Sequence, residues 1–230
     1  MNNARYDKIG QSYNLTRQSD LYIFQKINDL LKPSIEGIYL DIGCGTGNYT
    51  TLFQQKGHTI IGIDPSTEML RKAETSDSKV IWRRAEAEKL GLPSDSIDGM
   101  MAMLTIHHWR NLPQAFKEIS RVLKPQGQFV LFTSTPAQME GYWLNHYFPK
   151  MLQDSMHQMP DIYFVKRYLK ENGFCNIKTE KYFVADDLKD HFLYCGKHRP
   201  DLYLKPQTRQ GISSFSVLSN QVEINSGLHR

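Results

Sequence analysis

Asp41, Asp64 and the pair His107-His108 are the residues of this chain whose types and settings could do chemistry. Asp41 stands inside Tyr39-Leu-Asp-Ile-Gly-Cys-Gly-Thr-Gly47, an apolar run closed by three glycines. A carboxylate there suits a cationic ligand and would repel a pyrophosphate. The spacing is Gly-x-Gly-x-Gly, with Asn48 where a pyrophosphate-binding fingerprint has its last glycine. Asp64 ends a second apolar run, Thr59-Ile-Ile-Gly-Ile-Asp64, 21 residues after Gly43. An acid at that distance can accept hydrogen bonds from both hydroxyls of a ribose. It also precedes Pro65 and a helix-like stretch, so a helix N-cap is a compatible second role. The histidines follow the apolar run Ile97–Leu104, and imidazole can accept a proton near neutrality. Neighbours on an extended chain alternate faces, so at most one of the two is expected to point at a ligand. The competing reading of the pair is a polar stretch of loop.

These residues need rigid elements to hold them. Strand, glycine turn, helix is how an α/β protein brings backbone against a nucleotide, and Ile38–Gly47 followed by Tyr49, Leu52 and Phe53 reads in that order. Further strands are expected at Thr59–Asp64, Lys79–Arg83, Ile97–Leu104, Gln128–Thr133 and Asn176–Val184. Helices are expected from Leu21 to Leu31, after Pro65, after Asn111 and over Asp161–Asn172. Alternating βα units imply a parallel sheet with helices on both faces, an α/β doubly wound fold. In such sheets ligands lie beyond the carboxyl ends of the strands, which is where the histidine pair falls. Pro136–Pro160, rich in Met, Tyr and Trp, breaks the pattern. It reads either as local core or as adaptable apolar surface.

Asp41 to Gly47, Ile63-Asp64-Pro65-Ser66 and Leu104-Thr-Ile-His-His-Trp109 resemble class I S-adenosylmethionine-dependent methyltransferases, in the group similar to ubiquinone- and biotin-pathway enzymes. The resemblance runs from about Tyr6 to Thr135. It implies a Rossmann-like, mostly parallel seven-stranded sheet of order 3-2-1-4-5-7-6. The tail offers no clear seventh strand, since Val222 and Ile224 alternate only briefly. The resemblance implies S-adenosyl-L-methionine as cofactor, with Asp41, Gly43 and Gly45 at its amino-acid end and Asp64 and Pro65 at the ribose. Met69, Glu86, Ala87 and Leu104 would frame the adenine. Glu86 stands where the family's Gly-Asp-Ala-Glu-x-Leu-Pro segment usually has Asp, and Glu88 reads as a solvated face. An N-terminal helical arm, residues 1–35, would fold over the methionine end, making Tyr13 and Arg17 candidates. The resemblance also makes Pro136–Pro160 a substrate lid, within a single domain spanning 1–230.

With 230 residues and 40% hydrophobic content the chain can bury a substantial core. No apolar run is long enough for a membrane span, and the first residues lack a signal-peptide core, so the cytoplasm is the expected location. Three cysteines without a Cys-x-x-Cys argue against a disulfide framework or a zinc site. A net charge of +4, dispersed along the chain, does not imply nucleic acid. The leading expectation is methyl transfer to a small, apolar or aromatic metabolite by direct displacement. A non-catalytic S-adenosylmethionine-binding regulatory protein is the alternative. A nicotinamide-dependent oxidoreductase is disfavoured by Asn48 and by the Asp41 carboxylate. The accepting atom and the oligomeric state are left open by the sequence.

Overall fold

The computed structural model describes residues 16–75 and 78–229. They fall into two compact units. A sheet unit comprises residues 21–133 and 162–178, and a helical unit comprises the described part of 1–20 with 134–161 and 179–230.

The sheet unit is built on β1 (Ile38–Ile42), flanked by β2 (Thr59–Asp64) and β4 (Ile97–Met103), with β3 (Ile81–Arg84) and β5 (Leu123–Phe132) outside them. The order is β3-β2-β1-β4-β5 and every pairing is parallel. Tyr39, Leu40 and Ile42 are all buried, the continuous apolar pattern of a strand covered on both faces. Crossovers run through α2 (Asn48–Gln55), α3 (Thr67–Ala73) and α4 (Leu112–Val122), while α1 (Leu21–Leu31) precedes β1. The start of α4 is set by Asn111, whose Oδ1 accepts from the Gln114 amide at 3.1 Å. Its inner stripe, Ala115, Phe116, Ile119 and Val122, is fully buried, worth about 1.5–3 kcal/mol for each large side chain. A helix over Ile162–Glu171 buries Val165 and Leu169 in the same core.

Among the described residues the sheet has five strands, not seven. Asn176–Val184, expected as the sixth, is irregular. Ile177, Tyr182 and Val184 are half-buried while Lys178, Glu180, Lys181 and Phe183 are exposed. Alternation reports a half-covered face, and a segment lying on a surface satisfies it without ladder hydrogen bonds. Val222 and Ile224 belong to a helix over Gln221–Leu228, capped by Asn220, whose Oδ1 accepts from the Glu223 amide at 2.8 Å. The asparagine is the signal that favoured a helix there. The strand expected at Gln128–Thr133 begins earlier, at Leu123, and Lys124–Gly127 forms an irregularity within it. Register passes from Ile97↔Leu123 to Gly99↔Gln128, and Gln126 takes a φ of 67°.

The helical unit holds the whole of the segment read as a lid. Helices cover Pro136–Glu140 and Pro149–Gln158, and Met139, Leu144, Phe148, Met151 and Leu152 are buried as its core. Tyr142 stacks on Tyr194 at 3.8 Å between centroids, and Trp143 Nε1 donates to the Lys197 carbonyl at 3.0 Å. Glu223 ties the tail to this region by accepting from the Lys150 and Met151 amides. No described helix is long and apolar enough to cross a membrane.

Candidate functional site

The parallel register carries Asp41 and Asp64 to the carboxyl ends of neighbouring strands, with the glycine loop between them. The Gly43 and Cys44 amides donate to the Ile63 carbonyl at 2.7 and 3.0 Å, fastening the loop to the end of β2. Gly43 has a φ of 74° and its missing Cβ would meet the Thr105 side chain. Both backbone conformation and space therefore require glycine. Gly47, at φ 78°, is the N-cap of α2, and the Trp82 indole packs against it and against Gly62.

Asp64 closes this loop. Its Oδ2 accepts from the Gly45 amide at 2.9 Å and its Oδ1 from the Ser66 amide at 2.8 Å. The helix cap is not Asp64 but Ser66, whose hydroxyl accepts from the Met69 amide at 3.3 Å. A carboxylate offers about four lone-pair sites, so two bonds leave capacity for a ligand. Burial pushes the Asp64 carboxyl up from its ordinary value, while the Ser66 and Gly45 amides pull it down.

Asp41 is only 2% exposed. Its Oδ2 accepts from the Thr50 hydroxyl at 2.7 Å, while Oδ1 is buried with no hydrogen-bond partner. Burial raises its pKa to about 7, opposed by the Thr50 bond and reinforced by the Asp64 charge. An orphaned carboxylate oxygen at a strand end, over a glycine loop, fits an ammonium group. A cation would supply the missing bond and restore ionisation. Burial, with the Asp41 and Asp64 charges, pushes the Cys44 thiol well up, so it stays protonated.

The remaining expected contacts spread over the same unit. Met69 is 2% exposed on α3, Ala87 is buried, and Pro65 receives Arg84 Nε on its carbonyl at 3.1 Å. Glu86 pairs with Arg110 at 3.3 Å, both side chains substantially exposed. Leu104 has a φ of 51°, left-handed backbone that costs a non-glycine residue about 1–2 kcal/mol, just past β4. Strain of this kind concentrates at ligand sites.

His107 and His108 lie on a short 3-10 turn over Ile106–His108, not on extended chain. The alternation expected of them does not apply, and their rings lie 3.8 Å apart between centroids. His107 is half-buried and His108 exposed. Glu88, read as a solvated residue, instead accepts from the Arg110 and Asn111 amides at 2.6 and 2.9 Å and fixes the segment after the histidines. Arg17 belongs to the helical unit, where it pairs with Asp190, and Tyr13 lies outside the described residues. Thr50, Trp82 and Thr105 are site-shaping residues that sequence reasoning missed. Of these, only Thr50 could have been found, one helical turn into α2 opposite a buried acid.

Residues 40–131 match a family model described as a methyltransferase domain. The crystal structure of a putative methyltransferase from an antibiotic biosynthesis pathway of Anabaena variabilis aligns at a TM-score of 0.86 and 34% identity, covering 93% of this chain and 85% of that one. A probable S-adenosylmethionine-dependent methyltransferase of Saccharomyces cerevisiae, CRG1, is 29% identical over 68% of this chain and 57% of its own. The malonyl-[acyl-carrier protein] O-methyltransferase of Erwinia pyrifoliae is 26% identical over 60% of this chain and 52% of its own. The chain thus spans about half the length of these curated relatives.

Proposed function

The chain belongs to the class I S-adenosylmethionine-dependent methyltransferases, and on that premise we propose that it methylates a small, apolar or aromatic metabolite by direct displacement. The observation that carries the reading is the orphaned Asp41 Oδ1 beside a glycine loop held by Asp64. When bound, S-adenosylmethionine supplies an electrophilic sulfonium methyl, so the protein needs alignment and desolvation more than a covalent group. Positioning of that kind contributes up to about 7–11 kcal/mol.

In this reading Asp41 holds the cofactor's ammonium group and Asp64 accepts from the ribose hydroxyls while keeping the Gly45 amide in place. Gly43 and Gly45 admit the amino-acid end against bare backbone. Pro65 lies at the ribose beside Asp64, and Met69, Ala87 and Leu104 frame the adenine. Glu86 accepts from its amino group, exchanging an exposed Arg110 pair that is worth at most about 1 kcal/mol. Arg17 and Tyr13 remain candidates for the amino-acid end. One of His107 and His108 takes the acceptor's proton where the acceptor is weakly acidic. We further propose that both units serve one catalytic domain. All three cysteines are free thiols, which supports work in the reducing cytoplasm.

The test is calorimetry with S-adenosylhomocysteine on the native chain and on Asp41→Asn, combined with a methyl-transfer screen over small aromatic acids, phenols and amines. Micromolar binding that weakens in the variant, together with turnover of one acceptor class, is expected. Unchanged binding in the variant would remove Asp41 from the site. Tight binding with no acceptor in any class would favour a regulatory protein.

A further inference from the structure

The helical unit brings two arginines and a histidine together around the segment from Leu188 to His191. Asp190, with a side chain 3% exposed, is engaged by Arg17 through Nε and Nη2. His191 follows it and donates its amide to the Thr16 carbonyl at 2.9 Å. Arg199 folds back on the same segment, with Nη2 donating to the Leu188 carbonyl at 3.1 Å. Two polar atoms in this neighbourhood are buried without a hydrogen-bond partner, Arg199 Nε and His191 Nδ1. The charge of Arg199 is the strongest of those acting on His191, ahead of Asp190, Arg17 and Lys205. Burial together with these cations holds the imidazole below its ordinary pKa, the opposite of what a local anion would do.

Among the described residues, two polar groups of this part of the unit are already engaged. The Tyr203 hydroxyl donates to the Leu193 carbonyl at 2.6 Å and accepts from the Gly196 amide at 3.1 Å. Cys195, which feels Arg17, Asp190 and Arg199 together, is pushed up to about 12 by burial and stays a thiol. A buried guanidinium N–H without an acceptor is destabilising, and an imidazole nitrogen left without a partner adds to it. We propose that the helical unit contains a binding site for the carboxylate of a small organic acid, with Arg199 and His191 as its donors. Two donors match the two oxygens of a carboxylate, and Asp190 close by disfavours a dianion such as phosphate. Arg17 on Asp190 shows a guanidinium gripping a carboxylate in the same surroundings. The proposal stands independently of the methyl-transfer reading, since every residue it uses lies in the helical unit.

The probe is benzoate, chosen because the interior of this unit is aromatic, with benzamide as its uncharged counterpart, titrated calorimetrically into the full chain. Saturable binding of benzoate but not benzamide is expected. Arg199→Met should weaken it about 10-fold or more, and Arg199→Lys, which keeps the cation but loses the Nε donor, should fall between. Without benzoate the Arg199→Met protein should melt close to the native chain, because loss of the Leu188 bond is offset by removal of the unsatisfied Nε. Arg199→Lys also serves if the methionine variant does not fold. No benzoate binding, equal binding of benzamide, or unchanged affinity in both variants overturns the proposal. So does an equal loss of affinity for S-adenosylhomocysteine, which would assign Arg199 to the carboxylate of the cofactor.

Discussion

The two units bury opposite charge by different means. In the sheet unit Asp41 and Asp64 sit at the ends of adjacent parallel strands, and burial raises both carboxyls. In the helical unit Arg17 pairs with Asp190 and Arg199 reaches the Leu188 carbonyl, while burial lowers the Arg209 guanidinium and the His191 imidazole. Strand register places the acids, and the glycine loop supplies amides to hold one of them. The cations are placed by single side chains reaching backbone carbonyls, Arg199 to Leu188 and Arg209 to Tyr203. A regular element fixes a charge through many cooperative bonds, whereas an irregular one fixes it through a few specific bonds. The first leaves a pattern in the sequence and the second does not.

The largest effect that would sharpen this contrast belongs to the histidine turn. Replacing His107 and His108 singly by Gln should lower turnover about 10²–10⁴-fold for one of them and mildly for the other. Activity of the native chain should also fall on the acid side, since a protonated imidazole cannot accept a proton. Normal turnover in both variants across the pH range would make the turn a passive lining. Next comes Asp64→Ala. Loss of charge-assisted bonds should weaken S-adenosylhomocysteine by about 10²-fold, and loss of the Gly45 and Ser66 partners should destabilise the protein by about 1–3 kcal/mol. Calorimetry and denaturant melts read the two effects separately, and an unchanged affinity would confine Asp64 to loop structure.

Asp41 gives a smaller, pH-dependent effect. Its folded pKa of about 7 lies above the unfolded value, so the fold prefers the protonated acid. Its contribution to stability is therefore greatest at low pH and is lost as pH rises from about 4 to about 7, by up to about 4 kcal/mol. Cofactor affinity should move the other way and weaken as pH falls below about 7, because only the carboxylate holds an ammonium. Asp41→Asn should flatten both profiles, and a profile that survives the substitution excludes Asp41 as its source. Smallest is Trp143→Ala in the helical unit. Losing the indole and its bond to Lys197 should cost about 2–3 kcal/mol of stability. It should lower turnover while leaving S-adenosylhomocysteine affinity within about 2-fold. Equal loss of both would show that the two units do not divide the work.

Legibility followed the same division. The strands that carry Asp41 and Asp64 stand where apolar runs end in acids. The α4 helix starts at its asparagine, and the parallel sheet follows from alternating βα units. The pairing of β1 with β2, and so the meeting of both acids at one loop, came with the resemblance and is borne out by the register. The sixth strand failed because apolar positions such as Tyr182 and Val184 report which side chains are covered, not hydrogen bonding to a neighbour. The histidine pair failed in orientation because a 3-10 turn replaced the extended chain that alternation assumes. Glu88 was misread because a charged residue looks the same in sequence whether it meets water or two backbone amides.

By itself the sequence determined the α/β class, the glycine loop and the identity of the acids around it. These rest on local periodicity and on steric demands that a single residue type can meet. Tertiary structure alone decided that Thr50 satisfies one oxygen of Asp41 and leaves the other bare, and that Trp82 and Thr105 close over glycines. It also decided that Arg199 Nε and His191 Nδ1 are buried without a hydrogen-bond partner in the helical unit. Each of these depends on which atoms meet across long stretches of chain, and burial then sets what a charge costs and what it can bind.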